Sequence, residues 1–299
     1  MKKKINLKPR SSSNFLIVGT VRNCSKYLKR DVERLKSAMG KVKSLHWLLI
    51  ESDSSDNTIK SLRNLNNTID NFKFISLGNL AKKMPLRTER LAYARNIYVN
   101  KIKFSNEYKN IDFVIVADLD GINKIINYNS IASCWSYKFW DMCSANQLGP
   151  YYDLWALRCK KWIFHDYAIE LRSLNKKDPK NITKHIYNTV YSKMRIIPTN
   201  SDWIEVDSAF GGLAIYKKKC FDIGHYIGTY SKGKEVCEHV SFNLQLKKNG
   251  AKLFINPKLI NAKLTEHTEF LYPSFWRKKI RGNLKSLRKT KYKKISSSF

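Results

Sequence analysis

No stretch of this 299-residue chain stays apolar for long. FLIV at 15–18, WLLI at 47–50 and FVIVA at 113–117 are short runs, far from the roughly 20 residues that span a bilayer. The N-terminal stretch MKKKINLKPRSSSN is basic, but neither an apolar h-region nor a small-residue cleavage site follows it. Six cysteines (Cys24, Cys134, Cys143, Cys159, Cys220, Cys237) are scattered without a C-x-x-C pair. That spacing argues against a structural zinc site and, at this length, against a disulfide scaffold. The expectation is a reduced, cytoplasmic protein. No G-x-G-x-x-G and no G-x-x-x-x-G-K-[ST] occurs, so neither a dinucleotide nor a phosphate-cradling glycine loop is predicted. A diphosphate bound here has to be neutralised by a metal and by Arg or Lys. Acid is also scarce: 24 Asp and Glu face 56 Lys and Arg, a net charge of +32. Such an excess implies polyanionic surroundings, whether nucleic acid, an anionic membrane or phosphorylated substrates. AT-rich coding, which favours Lys and Asn, also produces part of such a bias.

What is present excludes a disordered chain. The hydrophobic fraction is 43% and there are 37 Phe, Trp and Tyr residues, enough for one large α/β domain or two smaller ones. The organising stretch is IDFVIVADLDG, 111–121. Phe113 to Ala117 is an apolar, partly β-branched run of the kind buried on both faces of a parallel sheet. It runs into Asp118, Leu119, Asp120 and Gly121. Alternation along a strand puts Asp118 and Asp120 on one side and Leu119 on the other. Two carboxylates then converge beyond the carboxyl end of a strand, where open α/β sheets bind ligands. Hard oxygen donors suit Mg²⁺ or Mn²⁺, held by one or two carboxylates plus substrate phosphates. Two Asp residues that merely cap a turn are the alternative.

Residues 1–13 read as a flexible basic leader. FLIVGTVRN (15–23) is a strand, 26–39 a helix stopped by Gly40, and HWLLIESDSSDNT (46–58) a strand entering a Ser/Asp loop. Asp56 or Thr58 caps the next helix, FKFISLGN (72–79) is a third strand, and LRTERLAYARNIYVNKI (86–102) a helix with Leu91, Ala94, Tyr98 and Ile102 on one side. This alternation predicts an α/β fold with a parallel, Rossmann-like sheet. From 125 to 200 the pattern is less regular and aromatic, in CWSYKFWDM, GPYYDLWALR and KKWIFHDYAIE. Sugars offer hydroxyls to carboxylates and apolar faces to rings, which makes Tyr152 and Asp153 candidates for an acceptor, although aromatic side chains more commonly build core. DSAFGGLAIYKKKCF (207–221) reads as a strand entered through Gly211 and Gly212, EHVSFNLQLKKN (238–249) as a helix, and AKLFINPKLI as a last strand before LTEHTEF (264–270). Glu238 at a helix start also fits the helix dipole without any catalytic role. The tail, 274–299, holds ten cations and no acid between 275 and 294. Trp276, Ile280, Leu284 and Leu287 recur there at helical spacing, as an interfacial helix on an anionic membrane requires.

Taken together, IESDSSDNT, RTERLAYARN, VADLDG, and FGGLAIYK followed by CEHVSFN resemble nucleotide-sugar glycosyltransferases of the GT-A fold. They are most similar in order to the fungal capsular α-1,3-mannosyltransferase family and its bacterial and viral relatives, over residues 15–270. The resemblance implies one catalytic domain over 14–273, with a nucleotide-binding half (14–124) and an acceptor-binding half (125–273). It implies that Thr20 and Arg22 lie by the nucleotide of a GDP- or UDP-sugar, and that Glu51 and Asp53 contact base or ribose. Arg87 and Arg95 would face the donor, unless Arg95 is simply part of an exposed basic helix face. Asp118 and Asp120 would hold Mn²⁺ or Mg²⁺ on the diphosphate, with His267 a further ligand and His239 the next choice. Gly211 and Gly212 would let the backbone approach the sugars, with Tyr152, Asp153 and His239 on the glycan-acceptor side. Glu238 falls at the acceptor-side acidic position, Asp207 is the rival carboxylate, and the usual acidic pair is here Glu-His.

Two other readings compete. VIVADLDGI also looks like the nucleophile motif of haloacid-dehalogenase phosphatases, but that motif normally opens its domain and no G-D-x-x-x-D follows here. A nucleic-acid-binding protein would suit the charge and the aromatics. The cations are dispersed through the α/β pattern, however, and no RNP, zinc-finger or helix-turn-helix signature occurs, so nucleic acid is not the expected partner.

Overall fold

The computed structural model describes residues 7–230, 233–268 and 271. In chain order its elements are β1 (Asn14–Val21), α1 (Ser25–Met39), β2 (Ser44–Glu51), α2 (Thr58–Thr68), β3 (Phe72–Ser76), α3 (Arg87–Phe104) and β4 (Phe113–Ala117). There follow α4 (Tyr128–Ala132), β5 (Met142–Gln147), α5 (Tyr167–Lys177), α6 (Ile182–Thr189), β6 (Ile204–Glu205), β7 (Leu213–Lys217) and α7 (Cys220–Ile223). The last are β8 (Thr229–Tyr230), β9 (Lys234–Glu235), α8 (Glu238–Lys248) and β10 (Leu253–Ala262).

Eight strands form one sheet in the order β3-β2-β1-β4-β7-β5-β10-β6. The pairs β3/β2, β2/β1, β1/β4 and β5/β10 are parallel, while β7 runs antiparallel between β4 and β5, and β6 antiparallel at the edge. The predicted α/β architecture with a mostly parallel central sheet flanked by helices is what the chain forms. Strand alternation explains its two apolar faces. Leu16, Val18, Val114 and Val116 point into one core with Ala94, Tyr98 and Ile102 of α3, and with Phe242 and Leu246 of α8. Phe15, Ile17, Phe113 and Ile115 point into the other, with Leu28, Val32 and Leu35 of α1 and Leu62 of α2. Each such fully buried side chain contributes about 1.5–3 kcal/mol relative to exposure.

Two expectations need correction. Residues 7–13 are not a free leader: Ser13 is fully buried, Leu7 packs on the second core, Lys8 pairs with Asp112 at 2.7 Å, and Trp135 Nε1 donates to the Lys8 carbonyl. The 125–200 region contains α4, β5, α5 and α6, none of which its sequence pattern indicated. β5 was hidden because its buried residues include Ser144, Asn146 and Gln147, so neither an apolar run nor alternation marks it. Residues 1–6 and the proposed interfacial helix through Trp276, Ile280, Leu284 and Leu287 lie outside the described residues. Among the described residues, no helix is long and apolar enough to cross a membrane.

Candidate active site

The carboxyl ends of β1, β2 and β4 open into a pocket of about 370 Å³, completed by the N-terminal half of α3, the 152–155 segment and the start of α8. Its walls carry four arginines (Arg22, Arg87, Arg90, Arg95) and five carboxylates (Asp53, Asp118, Asp120, Asp153, Glu238). Sequence position alone had spread these residues over more than two hundred positions.

The turn after β4 is held from three sides. Gly121 takes φ +94°, and a Cβ there would meet the Tyr27 ring at 2.7 Å. Its N–H donates to Oδ2 of Asp31, a fully buried α1 carboxylate, at 2.7 Å. Behind the turn, Asn123 Nδ2 donates to the Asp118 carbonyl at 2.7 Å and to the Gly212 carbonyl at 3.2 Å. Asn261 Nδ2 donates to Asn123 Oδ1 and to the Gly211 carbonyl, and Gln147 Nε2 donates to Asn261 Oδ1. Asp31, Asn123, Gln147 and Asn261 were missed from sequence, because isolated amides and a mid-helix Asp carry no motif. The only available signal for Asp31 was its place on the apolar side of α1 beside Leu28, Val32 and Leu35.

Asp118 and Asp120 stand together at the end of β4. The Asp118 pKa is pushed up to about 8, first by withdrawal from water and then by the neighbouring Asp120 charge. Asp120 is also raised, mainly by desolvation, with N–H donation from Ile122 working against the shift. A divalent cation would relieve this strain between two like charges. The donor set is all oxygen, which fits Mg²⁺ or Mn²⁺ completing their coordination with diphosphate and water. Among the described residues no group of three or more His, Cys, Asp and Glu is arranged to hold a metal. The exposed His267 ring stacks on Tyr152, centroids 5.4 Å apart, and its charge bears on Asp120.

Arg95 is not part of an exposed basic face. It is 3% exposed, donates from Nε to Glu238 Oε1 at 3.0 Å and from Nη1 to Tyr98 Oη at 3.2 Å, and lies 3.8 Å from Asp118 Oδ1 through Nη2. Burial opposes its charge, but Tyr98, Glu238, Tyr226 and Asp118 outweigh that and hold its pKa well above the ordinary arginine value. Glu238, the first residue of α8, is buried and lines the pocket. His239 beside it is buried, stacks on Phe210 at 3.8 Å, and among the described residues has no hydrogen-bond partner on either ring nitrogen. Burial first, then the Arg95 charge, hold it well below the usual histidine pKa, so it is neutral.

Other expected residues divide in two. Thr20, Arg22, Asp53, Arg87, Tyr152 and Asp153 line the pocket. Asp53, at φ +58°, accepts the Ala81 N–H through Oδ1 at 2.8 Å, and its Oδ2 lies 3.7 Å from Arg90 Nε. Asp153 Oδ2 accepts the Gly211 N–H at 2.8 Å. The remainder do not reach it. Glu51 is buried and accepts from Ser54 N–H and Ser76 Oγ, so its carboxylate ties the β2–α2 loop to β3. Asp207 is not among the residues that line the pocket and lies 3.8 Å from Lys247 Nζ. Gly211 and Gly212, at φ +69° and +82°, are packed against protein: a Cβ at Gly211 would lie 2.8 Å from the Ala145 carbonyl oxygen, and one at Gly212 3.0 Å from Tyr152 Oη. They shape the approach of β7 to β4 and do not line the pocket.

No protein-family model and no curated protein sequence matches this chain. Several solved structures are similar in shape. The mannosyltransferase PcManGT from Pyrobaculum calidifontis, in complex with GDP-Man and Mn²⁺, matches at TM-score 0.47 and 12% identity, covering 95% of this chain and 69% of that one. S. aureus TarS 1–349 with UDP-GlcNAc matches at TM-score 0.46 and 14% identity, over 85% of this chain and 60% of that one. Glucosyl-3-phosphoglycerate synthase from Mycobacterium tuberculosis with UDP gives TM-score 0.40 and 10% identity, over 85% and 70%. At such values these likenesses transfer no residue roles, and the fungal capsular family remains a resemblance of motifs.

Proposed function

We propose that this chain is a metal-dependent GT-A glycosyltransferase, moving a sugar from a GDP- or UDP-sugar to a hydroxyl of a glycan acceptor. The observation that carries the reading is the Asp118–Asp120 pair at a strand end, in one pocket with Glu238 and four arginines. Asp118 and Asp120 would hold a divalent ion, Mn²⁺ or Mg²⁺. When bound, such an ion supplies Lewis-acid stabilisation of the charge growing on the departing diphosphate. Arg22, Arg87 and Arg90 add positive charge along the same wall, as a doubly charged leaving group requires without a glycine loop. Thr20 and Asp53, which line the same pocket, are the residues we assign to the nucleoside. Glu238 accepts the proton of the attacking hydroxyl, and Tyr152, Asp153 and His239 border the acceptor. Sugar transfer passes through an oxocarbenium-like state, which a wall of carboxylates stabilises.

The test is a panel of nucleotide sugars incubated with Mn²⁺, first without and then with oligosaccharide acceptors. Release of nucleoside diphosphate from one donor class is expected. Absence of both turnover and binding across the panel would overturn the reading. From sequence alone we also propose that the basic tail docks the enzyme on anionic membrane. Removing 275–299 should abolish salt-sensitive liposome binding while sparing donor hydrolysis, and undiminished binding would remove that part.

A further inference from the structure

We infer that Arg95 is a positioning residue for Glu238, and not a residue that binds the donor. The inference rests on the glycosyl-transfer reading above and goes beyond it. Two of the three Arg95 nitrogens donate within the protein, Nε to Glu238 and Nη1 to Tyr98, and Nη2 faces Asp118 at 3.8 Å. Its guanidinium carbon lies 5.7 Å from the centroids of both Phe210 and Tyr226, so aromatic rings restrain the plane that a planar fork needs. The residue is 3% exposed, which leaves little of it to meet a diphosphate.

Two carboxylates therefore share one buried cation. The 3.0 Å contact to Glu238 is a charge-assisted hydrogen bond, whereas 3.8 Å to Asp118 is longer than one. The stronger tie is thus to the acceptor-side acid. It engages Oε1 only; among the described residues no hydrogen-bond donor meets Oε2. Arg95 fixes the Glu238 carboxylate by one oxygen and leaves the other to take the acceptor proton. α3 and α8 carry the two ends of this tie, and both pack on the same core, so the geometry is built into the fold. A lysine would keep the charge but lose the fork, and a displacement of about 1 Å at a catalytic group costs on the order of 10²-fold in rate.

The experiment compares Arg95→Lys, Glu238→Gln and the double variant in the full chain. Donor affinity is measured by calorimetry with Mn²⁺, and transfer by steady-state kinetics. Arg95→Lys should lower kcat about 10²-fold, with donor Kd within threefold of wild type, and the double variant should be no slower than Glu238→Gln alone. A tenfold or larger loss of donor affinity with kcat preserved would make Arg95 a donor ligand, and additive rate losses would mean that it does not act through Glu238. Amide hydrogen exchange at residues 238–241 supplies a reading independent of turnover. It should rise in Arg95→Lys while exchange in β1 and β4 stays at the wild-type rate. Unchanged exchange at 238–241 overturns the positioning role even if transfer falls. If the wild type transfers no sugar from any donor, the enzymatic reading fails, and the exchange experiment still decides whether Arg95 holds the start of α8.

Discussion

Asp31 reaches from the first helix to the turn that bears the aspartate pair: its Oδ2 accepts the Gly121 N–H at 2.7 Å, while Oδ1 meets Arg34 Nη1 at 3.3 Å. Withdrawal from water raises its pKa, and the Gly121 N–H opposes the shift. Asp31→Ala leaves a buried N–H without an acceptor, at a cost of about 1–3 kcal/mol. We expect a lower melting temperature together with weaker Mn²⁺ binding, because the turn loses its anchor. Asp31→Asn keeps an acceptor and should recover most of both. Equal Mn²⁺ affinity in all three proteins would show that the turn does not need this anchor.

Asp118 and Asp120 both hold their protons to higher pH than free carboxylates do. A carboxylate raised on folding costs stability as pH climbs through its unfolded value, and the cost is complete above its folded one. The metal-free protein should thus lose stability between about pH 4 and about 8 on account of Asp118, whose folded value is about 8. Divalent ions compete with the same protons, so Mn²⁺ affinity should rise across that window. Calorimetric titration at pH 5.5, 6.5 and 7.5 checks this, and a flat affinity would be incompatible with the pair as ligands.

Asp120→Asn removes one of two carboxylate charges and should abolish metal-dependent donor binding. Retained donor affinity that still responds to EDTA would place the ion elsewhere. Full activity in excess chelator, with the metal shown to be gone, would overturn the metal mechanism altogether.

Glu238→Gln preserves shape and the Arg95 hydrogen bond, so its main loss is the proton acceptor. Turnover should fall by about 10²-fold or more, within the range of general-base removal, with donor affinity nearly intact. Asp207→Asn breaks only the partly exposed contact with Lys247 and should leave turnover within twofold. The opposite pattern in steady-state kinetics would exchange the two assignments.

Gly211→Ala introduces a Cβ 2.8 Å from the Ala145 carbonyl oxygen at a backbone φ of +69°. Strain of this kind costs roughly 1–3 kcal/mol, a fall of several degrees in melting temperature for a chain of this size. Scanning calorimetry provides the measurement. An unshifted transition would mean that β7 can move away from β5 at no cost.

The sequence by itself determined the first half of the molecule. Period-2 and period-3.6 patterns placed β1, α1, β2, α2, β3, α3 and β4 in order, because each buries an apolar face in a way that local spacing records. The same reasoning brought Asp118 and Asp120 to the end of β4, since a strand that ends in D-x-D fixes its own side-chain geometry. Tertiary structure alone decided what surrounds them. β7 entered antiparallel beside β4, and β5 became a central strand despite its Ser, Asn and Gln, because buried amides are satisfied only by partners distant in sequence. Arg95, expected to face the donor, lines the pocket and also bonds Glu238, with Asp118 at 3.8 Å. A helix position records that a side chain points inward, but not that a carboxylate 143 residues later will meet it there.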